Sequence, residues 1–323
     1  MEATERSPTR VALRRLRRDR AALMSGLLLL LLVAACLAAP LWARHVARTT
    51  PVANHITDTV ILDGERRDVV SLDGIPIGPT WSGRFFLGAD GNGRDVMVRL
   101  LYGGRNSLLI GFGAALATVL CALVLGLVAG YFGGLLDAVI ARGLDVLWSF
   151  PAILLGVALG VALALGGLEL GPVTIEGGSL LIPVLVLSVI GIPYLARPIR
   201  GQVLALREQE FVDAARLQGQ SALSIMRAEL LPHLTSTVIV FLPLVVGNAI
   251  LLEAALSFLG AGVQPPQSSW GNMIGEGVQL VTSAPHLAIV PGLMLVLTVI
   301  SLNVLADAVR DALDARLNLR LEH

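Results

Sequence analysis

The sequence predicts an all-α polytopic membrane protein: six transmembrane helices with a small external segment between helices 1 and 2. Three observations carry that prediction. Only 15% of the 323 residues are charged and 55% are hydrophobic, whereas soluble domains carry about 25% charged residues. The uncharged residues gather into six runs, 21–43, 106–136, 146–168, 177–196, 230–252 and 277–306, the last two interrupted only by His233 and His286. Each run reaches the roughly 20 residues that take a helix across about 30 Å of hydrocarbon. Arginine is also unevenly shared among the connecting segments, which sets an orientation.

Residues 1–20 are a basic amino terminus with Arg6, Arg10, Arg14, Arg15, Arg17, Arg18 and Arg20. Arginine is retained on the cytoplasmic side, so this terminus is expected inside. The first span follows at 21–43. VAAC (33–36) has the form of a lipoprotein cleavage site, but the apolar run continues through LAAPLW to Trp42, too long for a signal core. Six crossings return the carboxyl terminus, 310–323 with Arg310, Arg316 and Arg320, to the cytoplasm. The same side receives 197–232, with Arg197, Arg200, Arg207, Arg216 and Arg227, while loops 169–176 and 254–276 carry no arginine. The arginine-rich stretch 44–105 is the exception, and long translocated segments escape the rule.

The extracytoplasmic segment 44–104 holds TVILDGERRDVVSLDG, strand-like runs punctuated by Asp63-Gly64 and Asp73-Gly74, which predicts a small β element. DGNGRD (90–95) has the outline of a calcium loop, but Arg94 takes the fifth position and Leu101 the twelfth, so a tight turn is expected instead. RDVMVRLLYGGR (94–105) reads as an interfacial stretch, its arginines snorkelling while Val96, Val98, Leu100 and Leu101 enter the acyl boundary. Residues 105–309 then form the main transmembrane domain, spans two to six. QPPQSSWGN (264–272) reads as a loop.

Composition excludes several functions. A formal net charge of zero gives no footprint for a nucleic-acid partner. All 24 basic side chains are arginine, so a phosphate-binding P-loop, which needs its lysine, cannot exist in this chain. Cys36 and Cys121 lie in apolar runs and read as inert buried thiols. The histidines, His45, His55, His233, His286 and His323, lack metal-ligand spacing, and no catalytic constellation is visible.

One charged stretch stands apart, EFVDAARLQG (210–219), within the cytoplasmic loop of about 200–232. Residues 203–218 predict one helix, with strong formers and no breaker. Gly219 supplies the left-handed stop, Ser221 caps a second helix over SALSIMRAELL, and Pro232 returns the chain to the membrane. Ala214 and Ala215 leave a bare stripe on which another protein can approach the backbone. Phe211, Val212, Leu217, Leu223, Ile225 and Met226 are too apolar to face water together.

The spacing D-A-A-x₃-G-x₉-E-L-L-P (213–232) resembles the EAA loop, E-A-A-x₃-G-x₉-I-x-L-P, of bacterial ATP-binding-cassette (ABC) importer permeases. Asp213 stands for the glutamate, and Glu229 takes a position that is apolar in the general pattern. FLGADGNGRDVMVRLLYGGRNSLLIG (86–111) is similar to LGTDxLGRDVxSRLLYGARxSLxxG of the dipeptide/oligopeptide permease C subunits. AGYFGGLLDAVIARGLDVLWSFPAILL (129–155), RGQVLALREQEFVDAARLQG (200–219), EAALSFLGAGVQPPQSSWGNMI (253–274) and PGLMLVLTVISLNVLADAVRDALDARL (291–317) match as well. These stretches cover most of 85–317, and residues 1–85 agree in layout only.

The resemblance implies the type I importer permease fold. It also implies an ATPase-coupling loop in which Glu210, Phe211, Asp213, Ala214, Ala215, Arg216, Gly219 and Pro232 meet a nucleotide-binding subunit. It implies partners: a second, B-type permease, ABC ATPase subunits, an extracytoplasmic substrate-binding protein and membrane lipid. ATP and Mg²⁺ then belong to the partner ATPase subunits and none binds here. The place implied is the bacterial plasma (inner) membrane, and the cargo is peptide, with nickel or another small solute as the alternative. Glu253, near the outer end of span five, and Asn248 are expected at the pathway or the permease interface, since polar groups in spans rarely face lipid. Asn248 and Asn303 can equally bond between helices. Pro193, Pro198 and Pro243, with Gly191, Gly201 and Gly247, are expected to interrupt their helices and absorb a bend. An ATP-independent secondary transporter would need an inverted repeat or carboxylate relays, which the sequence lacks.

Overall fold

A computed structural model describes residues 19–62 and 64–321; the basic stretch 1–18 and the last two residues lie outside the described residues. Helix α1 (Arg20–Leu37) starts at Asp19, whose carboxylate accepts from the amides of Ala21 and Ala22, an ordinary N-cap. It continues through a short turn, α2 (Ala39–Trp42), into a wide turn at Ala43–Ala47. Strands β1 (Thr59–Leu62) and β2 (Glu65–Asp68) pair antiparallel, Leu62 opposite Glu65, so the connection is the tight one that a Gly64 at φ +84° permits. Val69, Ile77, Phe85 and Ala89 make a small core under this hairpin.

Helix α3 (Val96–Phe132) is 37 residues long, about 55 Å at 1.5 Å per residue. It differs from the expected interfacial stretch followed by a span. Val96, Val98, Leu100 and Leu101 are buried in protein, and so are Arg94 and Arg99. The arginines do not snorkel because carboxylates are at hand. Arg94 Nε donates to Asp90 at 2.7 Å, and its Nη2 to Glu276 at 2.7 Å. Arg99 Nη1 donates to Asp90 and, at 2.6 Å, to Glu276. The tight turn at 90–95 is thus closed by internal cations. Asp95 caps α3 and also accepts from Phe85 N at 2.7 Å; burial pushes its carboxyl above the usual range, while the amides of Val98, Phe85 and Met97 pull it back.

Helices α4 (Gly134–Ser149) and α5 (Ala152–Gly166) meet at a 91° bend. The run 146–168 is therefore half of a broken span; Pro151 lies in the break and cannot continue α4. A second hairpin, β3 (Leu168–Leu170) with β4 (Val173–Ile175), fills the loop 169–176. Helix α6 (Leu181–Leu206) runs unbroken past Pro193 and Pro198, and α9 (Leu231–Phe258) past Pro243. The expected interruptions are absent because each proline removes one donor from a ladder whose other bonds hold. Gly191 is a contact rather than a hinge, since a Cβ there would lie 2.8 Å from Thr118 Oγ1. Helix α7 spans Glu210–Leu217, α8 Ala222–Ile225, α10 Trp270–Val278 and α11 His286–Leu321. The loop expected over 264–272 gives way to α10 at Trp270, where Ser269 and Asn272 form a capping box. Of the two thiols, Cys36 is buried and Cys121 is exposed.

Among the described residues, five helical segments are long and apolar enough to cross a bilayer, and the bent α4–α5 pair brings the number to six if it is counted as one span. The chain is an all-α polytopic membrane protein. The α7 corner and the 48–95 module sit at opposite ends of α3: Arg207 reaches Gly130 O at one end, and Asp95 caps the other.

Candidate functional site

The corner between the fourth and fifth spans is built from a helix break. The expected single helix over 203–218 stops at Leu206, and Gln209 is extended at φ −87°, ψ 149° before α7 begins. Arg207 causes part of this, because its side chain turns back to donate to Gly130 O at 3.0 Å. Glu210 and Asp213 occupy the first turn of α7 and Arg216 the last, the order that suits the helix dipole. Arg216 donates to Asp213 at 3.0 Å and lies 5.7 Å from the ring centre of Tyr131.

Gly219 ends α7 at φ +76°. Its amide donates to Arg216 O at 2.9 Å, and that of Gln220 to Ala215 O at 3.1 Å, the paired bonds of a Schellman stop. Ser221 caps the next turn by accepting from Ser224 N at 3.3 Å. The expected second helix is only the turn α8. It widens into a π turn at Met226–Leu230 and joins α9 without a gap. Pro232 lies in the first turn of α9; its ring crowds the carbonyl four residues back, inside that wide turn.

The alanine pair does not form one stripe. Ala215 is buried with Val212, while Ala214 is exposed. The outward row is Glu210, Asp213, Ala214 and Leu217, at the i, i+3, i+4, i+7 spacing of one helix face. Leu217 is 90% exposed and Leu223 beyond it 61%. Phe211 is partly buried, its ring stacked on His233 at 5.0 Å. The inward row holds the corner on the bundle: Val212, Ala215, Ile225, Met226 and Leu230 share one core with Val119 and Ala122 of α3, Leu144 of α4, and Leu195, Ala196, Ile199 and Val203 of α6. Arg200 clamps Asp137 of α4 through two bonds, one of 2.6 Å, and Arg197 meets Asp145 at 2.8 Å. Neither Tyr131 nor these clamps announced itself in the sequence, since the partners lie 52 to 85 positions apart.

The two expected span residues separate. Asn248 is exposed on α9, and Asn303 of α11 is also exposed, its Oδ1 3.7 Å from where a Cβ on Gly247 would be. Glu253 is 0% exposed within this chain. Its Oε1 accepts from Ser257 Oγ at 2.6 Å, and its Oε2 is buried without a hydrogen-bond partner among the described residues.

Comparison with known proteins agrees with this architecture. Residues 122–319 match the family described as binding-protein-dependent transport system inner membrane component. Residues 7–56 match the N-terminal TM domain of oligopeptide transport permease C. The glutathione transport system permease protein GsiD of Pectobacterium atrosepticum is 35% identical over 97% of this chain and 92% of its own length. The dipeptide transport system permease protein DppC of Alkalihalophilus pseudofirmus is 37% identical over 73% of each chain. The oligopeptide transport system permease protein OppC of Haemophilus influenzae is 37% identical over 74% of this chain and 72% of its own. An inward-facing structure of the MetNI methionine ABC transporter has the same fold, with a TM-score of 0.52 at 19% identity, covering 67% of this chain and 97% of that one. The chain belongs to the binding-protein-dependent transport system inner membrane components, the permease subunits of ABC importers.

Proposed function

We infer that this chain forms half of the membrane pathway of a peptide importer and takes its driving force from a separate ATPase docked on α7. The observation that carries the reading is the outward row Glu210, Asp213, Ala214 and Leu217: an acidic end, a bare alanine and a fully presented leucine on a helix fixed to the bundle from behind. A leucine 90% exposed at a charged corner fits a pocket on another protein, and Ala214 lets that surface approach the backbone. Ala215 supports the row from within, and Phe211, Arg216, Gly219 and Pro232 flank it. ATP and Mg²⁺ are held by that ATPase, since this chain has no lysine for a P-loop.

Peptide cargo is supported by the dipeptide, oligopeptide and glutathione systems to which the relatives belong. The B-type permease completes the path, with Asn248 facing it or the pathway, and an extracytoplasmic binding protein delivers the cargo. Arginine placement supports a plasma-membrane topology with both termini and α7 in the cytoplasm. The test is copurification: Leu217→Asp is expected to abolish capture of the ATPase while leaving thermal stability unchanged. Full capture by that variant, or by one lacking 210–219, would refute the docking.

A further inference from the structure

We propose that Trp81 seats the 48–95 module in the headgroup region of the bilayer beside the end of the first span, so that a phospholipid surface is the partner of the turn 80–86. Two independent rulers set the depth. The helical stretch from Arg20 to Trp42 covers about 33 Å at 1.5 Å per residue, and the uncharged run it belongs to ends at Ala43, with Arg44 next. On the neighbouring span, the uncharged run begins at Asn106, behind an exposed Arg105, and Tyr102 lies one turn beyond. Trp42 and Tyr102 pack against one small core of Ala43, Ala47 and Val98, so both rulers mark the same level, just outside the hydrocarbon.

From that level an aromatic ladder leads to Trp81. Phe86 meets Trp42 edge-on at 5.6 Å, and Trp81 meets Phe86 edge-on at 5.6 Å. Trp81 remains 68% exposed and holds a φ of +56°, a conformation that costs a large side chain energy. The turn enforces it. Thr80 Oγ1 lies 2.9 Å from Ser82 O and 3.0 Å from Phe85 O, and Phe85 N is fixed on Asp95. A strained, rigid, exposed indole gains nothing from water, but at a bilayer surface its apolar ring and polar N–H are both satisfied. Arg44, Arg48 and Arg84 are exposed, with Arg84 leaning on the carbonyls of Ala47 and Arg48. The exposed faces of Leu37 and Leu41 continue the apolar surface into the span.

The test uses the full chain with its copurifying partners in phosphatidylethanolamine–phosphatidylglycerol vesicles. Trp81→Cys in a Cys121→Ala background carries a nitroxide, Cys36 being buried. Leu72→Cys, at a fully exposed position, is the aqueous reference. Oxygen is expected to relax the label at position 81 more than a nickel chelate does, and the reverse at position 72. A chelate-dominated label at position 81 would mean water, and a label shielded from both reagents would mean a protein neighbour; either overturns the proposal.

Discussion

Gly130 of α3 and Val203 of α6 are in backbone-to-side-chain contact: a Cβ on the glycine would stand 2.6 Å from Val203 Cβ and 3.0 Å from Arg200 O. The span that ends at the α7 corner therefore has no slack against the longest helix, and the Arg207 bond to Gly130 O closes the same crossing. The other end of α3 is bonded to α10 through Arg99 and Glu276. One helix thus touches both the α7 corner and the far end of the bundle.

Gly130→Val is accordingly expected to force α6 off α3. Overpacking of this kind costs about 1–3 kcal/mol, read as a lower unfolding temperature in detergent. Because the displaced helix leads into α7, ATP turnover in the assembled transporter should lose its stimulation by cargo. Unchanged stability and unchanged stimulation would show that the crossing is loose.

Gly219→Ala isolates the conformational part of the corner. Nothing lies within 4 Å of a Cβ at that position, so the whole penalty is the left-handed backbone, about 1–2 kcal/mol. Gly219→Asn should recover part of it. Capture of the ATPase should fall in the same order as the stability of the corner, alanine below asparagine below glycine. If alanine binds the ATPase as well as glycine does, the geometry of the stop is not what presents Leu217.

Much of this was legible beforehand. Long uncharged runs specify spans, Gly219 and Ser221 carry stop and cap signals that act locally, and the corner was recognisable from them. What was not legible depended on partners distant in sequence. In sequence Arg94 and Arg99 look free to snorkel, because nothing local places Glu276, 177 positions from Arg99, beside them. Ala214 and Ala215 look like one bare face in sequence, but adjacent residues on a helix point about 100° apart, and the bundle buries only Ala215. The break at 207–209 contains no helix breaker; Arg207 turns back there to Gly130 O, 77 positions away.

Arg99→Met tests the buried ionic cluster. Arg99 is 2% exposed between Asp90 and Glu276, so its removal leaves Asp90 buried with one cation fewer. Breaking such a cluster from one side costs about 3–5 kcal/mol. Glu276→Gln should cost less, since that side chain is 40% exposed and water can compensate. Equal losses from the two variants in thermal unfolding would contradict the cluster's asymmetry.

Glu253 offers the sharpest separation of structure from transport. Its Oε1 accepts from Ser257 Oγ at 2.6 Å, while Oε2 is buried without a hydrogen-bond partner among the described residues. The Ser257 hydroxyl is itself an acceptor from Val263 N, so its own proton is the one directed to Glu253. Glu253→Ala removes that acceptor inside protein and should cost about 1–3 kcal/mol for the unpaired Ser257 donor. Glu253→Gln keeps one carbonyl for Ser257 and should stay within about 1 kcal/mol of the parent. Because the side chain is fully buried within this chain, the ranking of competing peptides in an uptake assay should be the same for both variants as for the parent. A reordered ranking in Glu253→Gln, at unchanged stability, would put the residue in contact with cargo and undo its assignment to the interior.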